Sequence, residues 1–95
     1  MTVRKRSSEV WRTDYAVHPG ETVREMFKEM GLTGVAASER LGVKQSYISD
    51  ILRGHRGLSS KMALRLETLG GPRAEFWVSL QAHYDLQVER LKGTS

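Results

Sequence analysis

The chain of 95 residues contains no cysteine and only three histidines and two prolines. Without cysteine, disulfide bonds and cysteine-based metal sites are excluded, which fits the reducing cytoplasm where we expect the protein to reside. No apolar run approaches the ~20 residues that a membrane-spanning helix requires. The basic N-terminal residues are not followed by the apolar stretch of a secretory signal. We therefore expect no membrane partner.

The residue groupings that carry out catalysis or hold cofactors are also missing from the sequence. There is no HExxH motif, no serine within a glycine elbow, and no set of glycines at phosphate-loop spacing. His18 stands directly before Pro19, where a turn or helix-cap role suits it better than a role as a metal ligand. The sequence therefore predicts neither an enzyme nor a cofactor.

Acidic residues are scarce in the middle of the chain, where Asp50 is the only one between residues 40 and 65. Six cations fill the same stretch: Arg40, Lys44, Arg53, Arg56, Lys61 and Arg65. A second basic group precedes the domain: Arg4, Lys5, Arg6 and Arg12. Such clustering fits a polyanionic partner such as nucleic acid. A solvated basic surface with no partner would have the same composition.

The spacing of apolar residues predicts an all-α protein with one domain. We assign residues 1–17 to an extended or disordered N-terminal arm and residues 18–92 to a five-helix domain. The first helix begins at Pro19 and ends at Gly31, where glycine suits a C-cap. It carries an amphipathic stripe at helical spacing: Val23, Met26, Phe27 and Met30. The last helix, residues 73–92, has an unusually wide apolar face: Phe76, Trp77, Leu80, Tyr84, Leu86 and Leu91.

Residues 33–53, TGVAASERLGVKQSYISDILR, have the pattern of a helix-turn-helix. Thr33 is a good N-cap for the first helix of the motif, and Gly42 permits the left-handed backbone of the turn. Lys44 would cap the second helix, although lysine caps poorly. The second helix would point Ile48, Ile51 and Leu52 inward. In such motifs the second helix lies in the major groove of DNA.

The outward side chains of the second helix suit contacts to DNA. Gln45 can bond adenine N6 and N7 together and is our first choice for base readout. Arg53 could reach a guanine or only a phosphate, while Asp50 could accept from cytosine N4 or pair with Arg53 or Arg56. Helix-start N–H groups and flanking cations can hold phosphates. The predicted DNA contacts are Thr33, Gly34, Lys44, Gln45, Ser46, Tyr47, Ser49, Arg53, Arg56 and Lys61.

Two large aromatic residues, Trp11 and Tyr15, stand in the N-terminal arm. Together with Val17 they alternate with other residues in a weak pattern that favours an extended segment. They either fold back onto their own domain or contact a partner subunit. The sequence leaves both possibilities open.

Three stretches carry a more specific resemblance: HPGETVREMF at 18–27, ASERLGVKQSYISDILRGHRGLSSKMALRLETLG at 37–70 and EFWVSLQAHYDLQ at 75–87. They resemble the HigA-type antitoxins, which belong to the lambda-repressor-like class of helix-turn-helix regulators. Ser38 stands where such motifs usually place alanine, but serine is small enough to be tolerated there. The N-terminal arm is not part of the matched pattern.

The resemblance implies a five-helix, lambda-repressor-like domain that forms a homodimer, largely through its C-terminal part. It also implies binding to a palindromic operator in the protein's own promoter, and neutralisation of a HigB-type toxin, a ribosome-dependent mRNA interferase. The recognition helix would cover residues 45–53. Core and dimer-interface roles would fall to Phe76, Trp77, Leu80 and Tyr84. The alternatives are a stand-alone repressor without a toxin and a pure protein-interaction module.

Overall fold

The computed structural model describes residues 16–93 of the chain. This part consists of five α-helices: α1 (Pro19–Met30), α2 (Gly34–Leu41), α3 (Gln45–Leu52), α4 (Ser60–Leu69) and α5 (Ala74–Gly93). No strand occurs within it, so the predicted all-α, five-helix architecture is confirmed. None of these helices is both long and apolar enough to cross a membrane.

The predicted N-terminal arm lies almost wholly outside the described residues. This applies to both arm aromatics, Trp11 and Tyr15, and to the basic group at residues 4–12. Ala16 and Val17 are described and have no regular secondary structure.

Serine, threonine and glycine cap the helix ends, and the caps predicted at Thr33, Gly31 and Gly42 are present. The side-chain oxygens of Thr33 and Ser59 each accept the backbone N–H three residues further on, at 3.1 Å. Gly31 and Gly42 adopt left-handed backbones with φ of 68° and 71° and end α1 and α2. Lys44 precedes α3 without a side-chain cap bond, as expected for lysine. The exposed N–H groups in the first turn of α3 therefore have no acceptor from the Lys44 side chain.

One hydrophobic core joins all five helices. α5 packs mainly on α4 and also on α1, while α3 packs on α1 and α2. Trp77 is completely buried and is the largest side chain in the core. Its other members are Val23, Met26, Phe27, Ala37, Leu41, Ile48, Ile51, Leu58, Met62, Ala63 and Leu66. Of the stripe predicted on α1, only Met30, at the end of the helix, is exposed.

Candidate nucleic-acid interface

The two sides of α3 differ as the motif predicts. Ile48 and Ile51 face the core with relative exposures of 1% and 0%. On the opposite side Gln45 and Ser46 are exposed, and Ser49 is half-buried. Because Gln45 is the first residue of α3, its amide lies at the end of the helix that contacts bases in helix-turn-helix complexes.

The start of α2 lies beside the start of α3. The Gln45 Nε2 atom is 3.8 Å from the position that a Cβ at Gly34 would occupy. Thr33 uses its hydroxyl oxygen as the acceptor of the cap bond to the Ala36 N–H, which leaves the hydroxyl proton available to donate. A group that could read a base and groups that could hold a phosphate therefore occur together at this end of the motif.

A basic groove runs between α3 and the start of α4. It has a volume of about 410 Å³ and is lined by Val43, Lys44, Ser46, Tyr47, Asp50, Arg56, Ser59, Lys61, Met62 and Arg65. The Arg56 guanidinium lies over the Tyr47 ring, 4.9 Å from its centroid. A cation in this position is attracted to the ring by about 0.5–1 kcal/mol when exposed. The ring thereby restricts where an otherwise exposed arginine can point.

Asp50 also lines this groove, and its carboxylate pairs with Arg53 at 3.7 Å. Of the pairing partners considered from the sequence, Arg53 is therefore the one that the structure contains. Exposed pairs of this kind contribute less than about 1 kcal/mol. Arg53 follows the last residue of α3, and its side chain is 62% exposed, so it can still reach an external anion.

Arginines from outside the motif hold the C-terminal ends of both motif helices. Arg65 Nη1 of α4 donates to the Leu41 carbonyl at 2.6 Å, and Arg24 Nη2 of α1 donates to the Leu52 carbonyl at 2.9 Å. A cation at this end of a helix satisfies an unpaired carbonyl and complements the helix dipole. Sequence reasoning missed both roles. No local pattern marks them, since the acceptors are backbone atoms 24 and 28 residues away.

The first turn of α1 contacts the last turn of α3 directly. Gly20 is buried, and a Cβ at this position would collide with the Ile51 carbonyl oxygen. The glycine is thus needed because another backbone lies against it. Together with Arg24, this contact sets the position of α3 relative to α1.

His18 caps α1, as the sequence predicted. Its Nδ1 accepts the Gly20 N–H at 2.9 Å, and its ring meets the Tyr84 ring edge-on, with centroids 4.8 Å apart. Burial lowers the pKa of His18, while Asp85, Glu21 and a hydrogen bond to the Arg56 backbone act in the opposite direction. Because Nδ1 accepts a hydrogen bond, the geometry requires the neutral imidazole.

Known proteins with a similar sequence or structure also contain a helix-turn-helix or are antitoxins. A model of the helix-turn-helix family (HTH_3) matches residues 23–71. Virulence-associated protein I of Dichelobacter nodosus is 42% identical over 74 residues, which cover 77% of this chain and 68% of that protein. The structure of antitoxin GraA is 40% identical with a TM-score of 0.76, over 80% of this chain and 83% of that one.

The structure of Pseudomonas aeruginosa antitoxin HigA with the higBA promoter is 36% identical, with a TM-score of 0.73. The match covers 77% of this chain and 80% of that one. The chain belongs to the helix-turn-helix family of HigA-type antitoxins. The resemblance inferred from the sequence is confirmed, and the HigA-type likeness extends well beyond the helix-turn-helix motif.

The four α5 residues expected to serve the core and a dimer interface of this HigA-type protein occupy different environments. Trp77 is completely buried and belongs to the core. Leu80 is half-buried against the core, and Tyr84 is half-buried against His18. Phe76 is 43% exposed and touches the Trp77 ring edge-on. Of the four side chains, that of Phe76 is therefore the most exposed.

No group of three or more histidine, cysteine or acidic side chains that could hold a metal ion occurs within residues 16–93.

Proposed function

We propose that this HigA-type protein binds a palindromic operator in its own promoter as a homodimer and neutralises a HigB-type toxin. The observation that carries the DNA-binding part is the composition of one surface. It combines the exposed polar side of α3 with the basic groove beside it. The promoter-bound relative supports the same assignment, since it is 36% identical to this chain.

In the proposed complex, α3 enters the major groove with its N-terminal end toward the bases. Gln45 bonds an adenine through its amide, and Ser46 and Ser49 contact neighbouring base edges. Thr33 and Gly34 hold a phosphate on one side of the groove through hydroxyl and backbone N–H groups.

Cations on the other side of α3 hold the opposite strand. Arg56, which stacks on Tyr47, and Lys61 at the start of α4 bind phosphates, together with Lys44 and Arg53. Each neutralised phosphate makes the affinity more dependent on salt, with a slope of about −0.9 in log K against log salt. Such contacts position the protein without reading the sequence.

A homodimer would let one protein read both halves of a palindrome. We place its interface on α5, with Phe76 as the main contact and with Leu80 and Tyr84 at its edge. Half-sites would then lie about one helical turn, ~34 Å, apart. A footprint of a single half-site together with a monomeric mass at micromolar concentration would contradict this arrangement.

The DNA-binding proposal is tested by titrating a labelled promoter fragment and a scrambled fragment with protein over a range of salt concentrations. We expect Gln45→Ala to weaken promoter binding far more than scrambled-DNA binding, because each good bidentate base contact contributes ~1–3 kcal/mol of discrimination. Lys61→Ala is the matched control and should weaken binding to both fragments alike. Equal losses in the two variants would show that Gln45 does not read a base. Absence of binding at low salt would refute the DNA-binding proposal itself.

The toxin part of the proposal has a separate test. The adjacent open reading frame is expressed alone and together with this chain. We expect growth arrest by the first, rescue by the second, and co-purification of the two proteins. DNA binding without rescue or co-purification would indicate a stand-alone repressor.

A further inference from the structure

The segment between α3 and α4, residues 53–59, carries Arg56 and joins the proposed base-reading helix to the proposed phosphate-binding end of α4. Most of its residues are exposed, and Leu58 is its buried anchor, at 7% relative exposure. An exposed loop of this length needs external contacts if its side chains are to be held in place. The described residues supply such contacts from two directions.

The first contact comes from α5. Gln81 Oε1 accepts the Leu58 N–H at 2.8 Å, and Gln81 Nε2 donates to Asp85 Oδ1 at 2.9 Å, one helical turn further along. The amide also lies flat against Gly57, since a Cβ at that residue would be 3.0 Å from Gln81 Nε2. Gln81 is thus oriented by Asp85, and its side-chain oxygen holds the loop by accepting the backbone N–H of Leu58, 23 residues away.

The second contact comes from the residue that precedes α1. The His18 ring lies beside Gly54, where a Cβ would be 3.7 Å from the ring. The loop is therefore contacted near its beginning by His18 and held near its end by Gln81. Between these attachments, the Arg56 side chain extends over the Tyr47 ring.

We infer that Gln81 is a positioning residue for DNA binding, which holds the 53–59 loop so that Arg56 meets a backbone phosphate. The inference rests on the proposed DNA-binding function. Gln81 itself does not touch DNA; it acts from α5 through the Leu58 N–H. The C-terminal helix thereby takes part in the DNA-binding surface, although it lies outside the helix-turn-helix motif.

The test is a titration of the promoter fragment at several salt concentrations, with circular dichroism melts of every variant. Gln81→Met keeps the length of the side chain but cannot accept the Leu58 N–H. We expect it to lower the salt slope by about 0.9 per bound chain, the contribution of one phosphate. Arg56→Ala should cause the same change, and the double variant should lose no more than Arg56→Ala alone.

A single variant and a double variant that has the charge of the wild type distinguish positioning from general electrostatics. Gln81→Glu alone brings two carboxylates together, so we expect weak binding. Gln81→Glu combined with Asp85→Asn keeps the net charge of the wild type. In this swapped pair the new carboxylate at position 81 can accept the Leu58 N–H, and the new amide at position 85 can donate to that carboxylate. The swapped pair should therefore restore both the affinity and the salt slope.

The outcomes separate this inference from the proposed function. If the wild type does not bind the promoter fragment, the proposed function fails and this inference fails with it. If the wild type binds and a folded Gln81→Met binds with unchanged affinity and slope, only the inference is overturned. Should Gln81→Met not fold, the swapped pair decides. A folded swapped pair as weak as Gln81→Glu would overturn the inference, and recovery would support it.

Discussion

Replacement of Gly20 by alanine should destabilise the domain through a single added methyl group. The new Cβ would collide with the Ile51 carbonyl oxygen and would also come within 3.1 Å of the Ile51 carbonyl carbon and of His18 Nδ1. Because two of these three atoms belong to the backbone, rotation of a side chain cannot relieve the contact. Either α1 or the end of α3 has to move.

The magnitude follows from two opposing effects. Alanine in place of glycine at a compatible position stabilises by about 0.4–1 kcal/mol, because the unfolded chain has fewer conformations. Overpacking of a buried site costs about 1–3 kcal/mol, occasionally more. At Gly20 the second effect should dominate, because the overlap involves backbone. Gly34→Ala is a matched control, since Gly34 also lies in the first turn of a helix and its Cβ would meet only Gln45 Nε2, at 3.8 Å.

The free energy of unfolding of both variants is measured by urea titration, with thermal melts in parallel. Gly20→Ala should be less stable than the wild type by roughly 1–3 kcal/mol, and Gly34→Ala should be at least as stable as the wild type. A difference of 1 kcal/mol shifts the melting temperature of a domain of this size by about 4–8 °C, so the two variants should be easy to tell apart. If both melt together, the close approach of α1 and α3 does not constrain the fold as argued.

Two further predictions concern stability. Arg65→Met should destabilise the domain by ~1.5–3 kcal/mol, the range for hydrogen bonds to charged groups. The loss should be larger than for Arg24→Met, because Arg65 is half-buried and Arg24 is exposed. Equal urea midpoints for the two variants would contradict this order. For His18, burial holds the folded-state pKa below the ordinary 6.5, so the unfolded chain takes up the proton first as the pH falls. Its stabilising contribution is therefore complete above about pH 6.5 and is lost as the pH falls from there toward the folded-state pKa. His18→Asn keeps a good cap but has no group that titrates in this range. Between about pH 7.5 and about pH 5.5, its urea midpoint should therefore change less than that of the wild type. If the urea midpoints of the variant and the wild type change equally with pH, this assignment is refuted.

The parts of the fold that were predictable depend on local patterns. Thr33, Gly42 and the stripe of Ile48 and Ile51 each act within a few residues of their own position, so capping rules and helical periodicity identify them. His18 belongs to the same class, since its cap bond reaches only Gly20. The five-helix order followed from these local signals together with the resemblance to HigA-type antitoxins.

The parts that were not predictable depend on contacts distant in sequence. Arg24 and Arg65 bond to backbone carbonyls, which every residue type possesses, so their targets leave no trace in the sequence. In the sequence, nothing distinguishes Gln81 from other polar residues, because its partner, the Leu58 N–H, is 23 residues away. In the sequence, Arg65 is one of the six clustered cations of residues 40–65, whereas in the structure its guanidinium donates a hydrogen bond to the Leu41 carbonyl.

The outward residues of α3 and the residues that hold the helix in place form two separate sets. Gly20, Arg24 and the core side of α3 fix its position, whereas the exposed side chains of Gln45 and Ser46 point away from the core. Substitutions at surface positions away from structural contacts usually change stability by less than about 0.5 kcal/mol. If α3 reads DNA as proposed, its outward residues can change to suit a different operator without redesign of the scaffold, and related proteins can differ in target sequence while keeping one fold.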